Sequence, residues 1–382
     1  MARVITCVED LRQLAQKRVP KAFYDYADSG SYTESTYRAN SADLGAITIR
    51  QRVAINVDKR NTASTMIGQP VTMPVAIAPT GLTGMQWADG EMLGARAAER
   101  FGIPFTLSTM SICSIEDVAG FVSKPFWFQL YVMRDRGFVA DLIARAKAAK
   151  CSALVVTLDL QILGQRHKDL HNGMSVPPRI TLANILDIGS KPGWTLRMLS
   201  AKRKTFGNLA GYTKNSGSGV ITLSKWVASQ FDPTLSWQDI EWIKSQWGGK
   251  LVLKGIQDPE DAKIAAKVGA DALIVSNHGG RQLDGASSSI RALPYVCDAV
   301  GDSIEVWMDG GIRTGQDILK ALAMGAKGTM VGRAFLYSLG AMGEAGVTRM
   351  LEILRSELDV SMALAGIDDV RKLNRSVLET GV

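Results

Sequence analysis

From residue 73 to residue 333 short apolar runs recur, each followed by Gly, Pro or polar residues and then by an Ala-rich stretch of helical periodicity. That alternation is the pattern of successive βα units. The runs are MPVAIAP from 73, IPFTLS from 103, FWFQLY from 126, ALVVTLD from 153, LVLKG from 251, ALIVS from 272, EVWMDG from 305 and GTMVGR from 328. Continuous apolar runs of this kind predict strands buried on both faces of a parallel sheet. With eight of them, and with all gaps but one short enough for little more than a helix, the expected architecture is a closed (β/α)8 TIM barrel. An open doubly wound sheet competes, but no G-x-G-x-x-G follows any run, which also argues against a nicotinamide dinucleotide.

The pattern divides a single domain, 1–382, into parts. Residues 1–72 predict an N-terminal helical cap, with a capping box at Thr6 and Glu9 and a second helix starting at Pro20. The barrel spans 73–335. Between the fourth and fifth runs lies a long insertion, 177–249, which exceeds an ordinary βα connection and predicts a lid, a membrane contact or a disordered segment. After the barrel, 336–382 forms a helical region in which Val347, Met350, Leu351, Leu354 and Leu358 recur at helical spacing.

Composition adds little to this architecture but narrows the function. The chain is 46% hydrophobic and 21% charged, an ordinary globular balance. Cys7, Cys113, Cys151 and Cys297 form no C-x-x-C pair, so no metal site or disulfide framework is expected, only reduced thiols. Glu9, Asp10, Lys17 and Arg18 interrupt the first thirty residues, and no later stretch is apolar enough to span a membrane, so a cytoplasmic location is expected. The net charge of +7 could serve nucleic acid, an anionic membrane or anionic ligands. No zinc-finger spacing, RNP signature or aromatic-interleaved basic tract supports nucleic acid. Within 177–220, Arg179, Lys191, Arg197, Lys202, Arg203, Lys204 and Lys214 face the single acid Asp187 and mix with apolar residues such as Ile180, Leu182, Ile185, Leu186, Trp194 and Leu199. That mixture predicts a peripheral contact with the inner face of the cell membrane; a solvated basic loop is the competing reading.

In barrel enzymes the chemistry gathers at the C-terminal strand ends. Here those ends carry Pro79, Thr80 and Gly81; Ser108; Gln129 and Tyr131; Thr157 and Asp159; Lys254; Ser276 and His278; Asp309; and Gly332 with Arg333. The last two endings, Asp309-Gly310-Gly311-Ile312-Arg313 and Gly332-Arg333, supply glycine amides and two arginines where barrels hold a phosphate. Tight turns alone would explain the glycines but not the arginines. SNHGGRQLD places His278 and Arg281 three residues apart on a glycine-rich exit, and of the three histidines His278 is the candidate general base. Asp159 could orient its ring. Arg166 and Arg281 are candidates to clamp a carboxylate, and Tyr26 and Tyr131 to donate hydroxyls.

The motifs YDY (24–26), APTG (78–81), FQLY (128–131), TLD (157–159), G-x-R-x-x-D (164–169), LKG (253–255), SNHGGRQLD and DGGIR, in this order over nearly the whole chain, resemble the FMN-dependent 2-hydroxy-acid oxidising enzymes, most of all the bacterial respiratory L-lactate dehydrogenases. The resemblance implies His278 as base with Asp159 as its partner. It also implies Arg166 and Arg281 on the substrate carboxylate, and Tyr26 and Tyr131 at the substrate oxygens. It implies FMN contacts from Pro79, Thr80, Gly81, Ser108, Gln129, Thr157, Lys254 and Ser276, with Lys254 favouring the negative charge of the reduced flavin. The phosphate would lie on Gly311, Arg313, Gly332 and Arg333. Quinone or cytochrome as electron acceptor and a homotetramer follow from the same resemblance. An oxygen-using oxidase of this family and a non-redox phosphate-binding isomerase or lyase are the alternatives.

Overall fold

Every apolar run becomes a strand. In the computed structural model, which describes residues 4–174, 181–210, 230–300 and 303–379, the strands are β1 (Val75–Ile77), β2 (Thr106–Ser108), β3 (Trp127–Tyr131), β4 (Ala153–Thr157), β5 (Lys250–Ile256), β6 (Ala272–Val275), β7 (Glu305–Met308) and β8 (Gly328–Val331). All pair in parallel with their neighbours, and β8 pairs with β1. A parallel bridge between Ile77 and Phe105 joins β1 to β2 and closes the ring. The expected TIM barrel is thus the observed fold.

The two-residue period of a strand sorts its side chains. Leu107, Phe128, Leu154, Leu253, Val275 and Val331 point outward and are fully buried against the helices. Inward, Ala76, Trp127, Val155, Val252, Ile274, Trp307 and Met330 form a second, separate apolar cluster. At its centre the Trp127 and Trp307 rings stack, 5.1 Å apart and 7° from parallel. A short hairpin, Ser64–Met66 with Gln69–Val71, plugs the N-terminal end of the barrel. Met66 joins the interior cluster, Gln69 Oε1 accepts from Trp127 Nε1 at 3.2 Å, and Glu305 accepts from the Ile67 amide.

The helices start and stop where local chemistry dictates. Pro259–Val268 has Asp258 at its N-cap, Pro at its first position and Gly269 at φ +83° as its stop. Gly315–Ala323 opens with a Thr314/Asp317 capping box. The expected box at Thr6 and Glu9 forms one residue later. The first helix is Val8–Arg18, and Asp10 accepts from the Thr6 amide and hydroxyl and the Cys7 amide, while Glu9 pairs with Arg12 at 2.7 Å. Asp at the third helical position folds back onto those donors, which leaves Glu9 to its neighbour one turn on.

Lys21–Ala27 and Ser35–Ala46 complete the helices of the N-terminal cap. Glu344–Leu364 buries all five apolar positions expected of it. Within 177–249, Trp237–Trp247 covers the barrel between β4 and β5, joined to the helix Arg136–Ala148 through Arg136 and Asp239 at 2.7 Å. Leu182–Gly189 and Pro192–Ser200 form a separate helical pair at the C-terminal mouth. Trp194 anchors it, stacking on Phe23 at 5.3 Å and donating from Nε1 to the Met85 carbonyl at 2.9 Å. The expected membrane segment is described only over 181–210; Arg179, Ile180 and Lys214 lie outside the described residues.

Candidate active site

The inward columns that are apolar at mid-barrel turn polar at the C-terminal strand ends. Ser108 Oγ donates to Gln129 Oε1 at 3.1 Å, and Gln129 Nε2 donates to Thr157 Oγ1 at 3.0 Å, which links β2, β3 and β4 in one row. Across the mouth, Lys254 Nζ donates to Ser276 Oγ at 2.7 Å and pairs with Asp309 Oδ2 at 2.9 Å. Lys254 is buried, yet it stays charged: burial alone would lower its pKa, but Asp309 and then Asp159 raise it above the ordinary lysine value. The Ser276 oxygen also accepts from the His278 amide at 3.1 Å.

His278 lies just beyond β6 in a left-handed turn, φ +56°, followed by Gly279 at +66° and Gly280 at +74°. A Cβ on Gly280 would sit 2.4 Å from the Tyr37 amide nitrogen, so this turn tolerates only glycine there. A non-glycine residue at positive φ is a strained conformation that the surroundings impose. The strain directs the imidazole at Asp159, with Nδ1 2.8 Å from Oδ1. Burial pushes the Asp159 pKa up, but the His278 charge, its hydrogen bond and Lys254 hold it below the ordinary carboxylate value. An ionised carboxylate can only accept, so Nδ1 carries the hydrogen and Nε2 is left as the basic nitrogen.

Room for Asp159 comes from Gly255. The β5 ladder shifts register between Lys254 and Ile256, Gly255 adopts φ +102°, and a Cβ there would lie 2.7 Å from the Asp159 side chain. The sequence offers Gly255 only as the end of the LKG motif, with no role of its own; an isolated glycine inside a strand run is the signal that marks such a bulge. Asp169 likewise appears only as the end of the G-x-R-x-x-D motif with no role given, and Ser29 was missed. Asp169 Oδ2 pairs with Arg166 Nη1 at 3.4 Å and its Oδ1 accepts from the buried Ser29 hydroxyl at 3.3 Å.

These residues surround one cavity of about 820 Å³ at the barrel mouth. Tyr26, Pro79, Thr80, Gly81, Tyr131 and Arg166 line it, as do Lys254, His278, Arg281, Asp309, Gly310, Gly311, Arg313, Gly332 and Arg333. Ser108, Gln129, Thr157, Ser276 and Asp159 stand behind that wall as its hydrogen-bonded support. Arg281 lies 4.7 Å over the Tyr26 ring and donates to the carbonyls of Tyr26 and Ser29. Burial, then the neighbouring Arg166 charge, lowers its pKa to about 10. Two guanidiniums that repel each other in one buried pocket are a ready site for an anion.

At the strand endings seven and eight, Gly310 and Gly311 have φ of +95° and +92°, and a Cβ on Gly311 would lie 2.4 Å from the Asn40 carbonyl oxygen. The helix Arg333–Met342 starts there with Gly332 at its N-cap. The Arg333 guanidinium is tied to three carbonyls, those of Ala27 at 3.0 Å, Gly279 at 2.8 Å and Ser29 at 2.7 Å, and it lies over the Tyr37 ring. It therefore braces the cap, and the first-turn amides of its helix are the main donors this ending offers to a phosphate.

Comparison with known proteins now decides the class. The model of the family described as FMN-dependent dehydrogenase matches residues 15–380. The chain belongs to the FMN-dependent dehydrogenases. It is 46% identical over 376 residues to an L-lactate dehydrogenase of Caulobacter vibrioides, covering 98% of each chain, and 44% identical to one of Ectopseudomonas mendocina, covering 98% of this chain and 99% of that one. Among solved structures, a monotopic membrane protein, (S)-mandelate dehydrogenase, superposes with a TM-score of 0.94 at 35% identity, over 99% of this chain and 100% of the other. A mandelate oxidase mutant with (S)-mandelic acid gives 0.83 at 33%, with the same coverage.

The cavity of this FMN-dependent dehydrogenase fits its cofactor. Arg166 Nε and Asp309 Oδ1, in the cavity wall, and Asp159 Oδ2, just behind it, are buried polar atoms with no protein partner. The helix N-terminus and the glycine pair form the kind of phosphate cradle that barrels build at these two strand ends. A non-redox isomerase or lyase is set aside by the family match.

Proposed function

We propose that this protein oxidises a small L-2-hydroxy acid, L-lactate to pyruvate before others, at the cavity described above. The observation that carries the reading is the pairing of His278 with Asp159 at 2.8 Å in the same cavity as Arg166 and Arg281. Arg166 and Arg281 hold the carboxylate, and Tyr26 and Tyr131 hold the oxygens near the reacting carbon. Tyr131 stays protonated and able to donate, because burial and then Asp159 raise its pKa. Nε2 of His278 accepts the proton released as the hydroxy acid becomes the oxo acid, and Asp159 stabilises the imidazolium that results. FMN, when bound, would take up the two electrons together with the second hydrogen that leaves the hydroxy acid. Lys254 supplies positive charge beside it, while Pro79, Thr80, Gly81, Ser108, Gln129, Thr157 and Ser276 shape its ring site. Asp309, Gly310, Gly311, Arg313, Gly332 and Arg333 form the phosphate end.

The test is anaerobic reduction of the bound flavin. L-lactate bleaches its absorbance and D-lactate does not, since only one enantiomer presents both hydrogen and hydroxyl correctly; equal bleaching by both refutes the reading.

We further infer that electrons leave to a membrane quinone or a cytochrome and that the protein sits peripherally on the inner face of the membrane, as a homotetramer. Among the described residues no helix is long and apolar enough to cross a membrane. The helix Leu182–Gly189 has no buried residue, and Leu182, Ile185, Leu186, Leu196 and Leu199 are 56 to 72% exposed. Such an apolar face suits insertion at the headgroup boundary. Arg203 is bound to Asp89 and Asp117, and Arg197 lies over Trp87, so the apolar residues carry more of this contact than the basic ones. Binding to anionic vesicles that is lost in the doubly substituted Ile185→Ser, Leu186→Ser protein supports the membrane contact; no binding at low salt ends it.

A further inference from the structure

Among the acids at the mouth, Asp169 is the one that lies against the guanidiniums of the carboxylate end. Asp159 belongs to His278 and Asp309 to Lys254. Arg333 is tied to backbone carbonyls and Arg313 lies at the ending of β7, while Lys168 turns outward to Glu34 at 3.0 Å. What is left at the carboxylate end is Arg166, Arg281 and Asp169, all in the cavity wall.

Asp169 is placed by local geometry. It sits three residues after Arg166, in the short helix His167–His171, and its backbone carbonyl is pinned by the Met174 amide at 2.8 Å. Its side chain is only 11% exposed, with one oxygen on Ser29 and the other on Arg166. Burial raises its pKa, and Arg281, Arg166 and the Ser29 hydrogen bond oppose that rise. A buried carboxylate beside a carboxylate-binding site costs substrate affinity, since like charges repel strongly in a low-dielectric pocket. A site built only to attract anions would omit it.

We propose that Asp169 is a specificity-determining residue that sets the charge of the carboxylate pocket, so that it accepts singly charged hydroxy acids and turns away doubly charged ones. Two guanidiniums and one carboxylate leave a net charge of +1. A monoanionic acid brings the cluster to neutrality. A dicarboxylic hydroxy acid leaves an uncompensated negative charge out of water, which is costly. The inference rests on the reading that Arg166 and Arg281 hold the substrate carboxylate.

Oxamate and oxalate separate charge from shape, being close isosteres with one and two negative charges at neutral pH. Their dissociation constants are measured on the FMN-loaded protein from the perturbation of flavin absorbance, with no turnover required. The ratio of oxalate to oxamate affinity rises on the order of tenfold or more in Asp169→Asn, because the pocket gains a unit of positive charge. Ser29→Ala, which removes a hydrogen bond but keeps the charge, leaves the ratio within about twofold. Should Asp169→Asn fail to keep its flavin, Arg166→Gln carries the test: it lowers the pocket charge by one, and the ratio must fall. An unchanged ratio in Asp169→Asn, or in Arg166→Gln where that protein replaces it, overturns the proposal, as does an equal shift in Ser29→Ala. If neither anion perturbs the native flavin at millimolar concentration, the carboxylate site itself is wrong and the proposal falls with it.

Discussion

The two ends of the barrel are built from the same inward-facing columns and behave as opposites. Within β3, Trp127 belongs to the apolar plug, whereas Gln129, two residues on, belongs to the polar row; within β7 and its exit the same step separates Trp307 from Asp309. One end excludes water and is closed by the hairpin. The other holds unpartnered buried polar atoms around a cavity. Stability and chemistry are thereby separated by about 7 Å of strand, two residues at the rise of an extended chain, and a substitution at one end need not register at the other.

The sharpest break comes at the mouth. His278→Gln keeps the flavin bound and the melting temperature within a few degrees, while L-lactate reduces the flavin about 10²- to 10⁴-fold more slowly, as expected on losing a general base. Rapid mixing without oxygen measures it, and near-native reduction would place the base elsewhere. At the other end, Trp307→Ala costs about 3 to 5 kcal/mol by emptying the stack with Trp127. Denaturant unfolding detects that loss, and the rate of reduction per bound flavin stays within about twofold of native. A large rate change would show that the plug and the mouth are coupled.

Gly255→Ala is expected to blur the division. It sits in a barrel strand, but its Cβ would meet Asp159 at 2.7 Å from a backbone angle that suits glycine. The strain is of order 1 to 3 kcal/mol, and the rate of reduction falls more steeply than the melting temperature. The smallest effect belongs to Ser108→Ala, which removes the hydrogen bond it donates to Gln129 and the one it accepts from the Met110 amide. It costs about 1 kcal/mol in unfolding free energy, with little change in reduction rate.

The same division explains what was legible in the sequence. Strands buried on both faces announce themselves as apolar runs, so all eight and their polar endings could be placed from the chain alone. His278 was legible because it stands on a glycine-rich strand exit, and the arginines because turns do not need them. Asp169 and Gly255 were visible only as members of the G-x-R-x-x-D and LKG motifs, and Ser29 not at all, because what each does depends on a contact with a residue distant in sequence. Ser29 meets Asp169 across 140 residues, and Gly255 matters only because Asp159 fills the space beside it. The Arg333 guanidinium carried a phosphate expectation, yet its length lets it reach the carbonyls of the N-terminal cap.

That reach has a consequence for how the chain is made. The carbonyls of Ala27 and Ser29, at the end of the helix Lys21–Ala27, wait for a guanidinium that follows 306 and 304 residues later. At a synthesis rate of about 5 to 20 residues per second, that wait is roughly 15 to 60 s on the ribosome. During it the helix end has no Arg333 to bind, and Tyr24, Tyr26 and Phe23 have no finished barrel to cover. The brace that Arg333 gives the cap therefore forms only once β8 has been made, at the same stage as the β8–β1 pairing that closes the barrel.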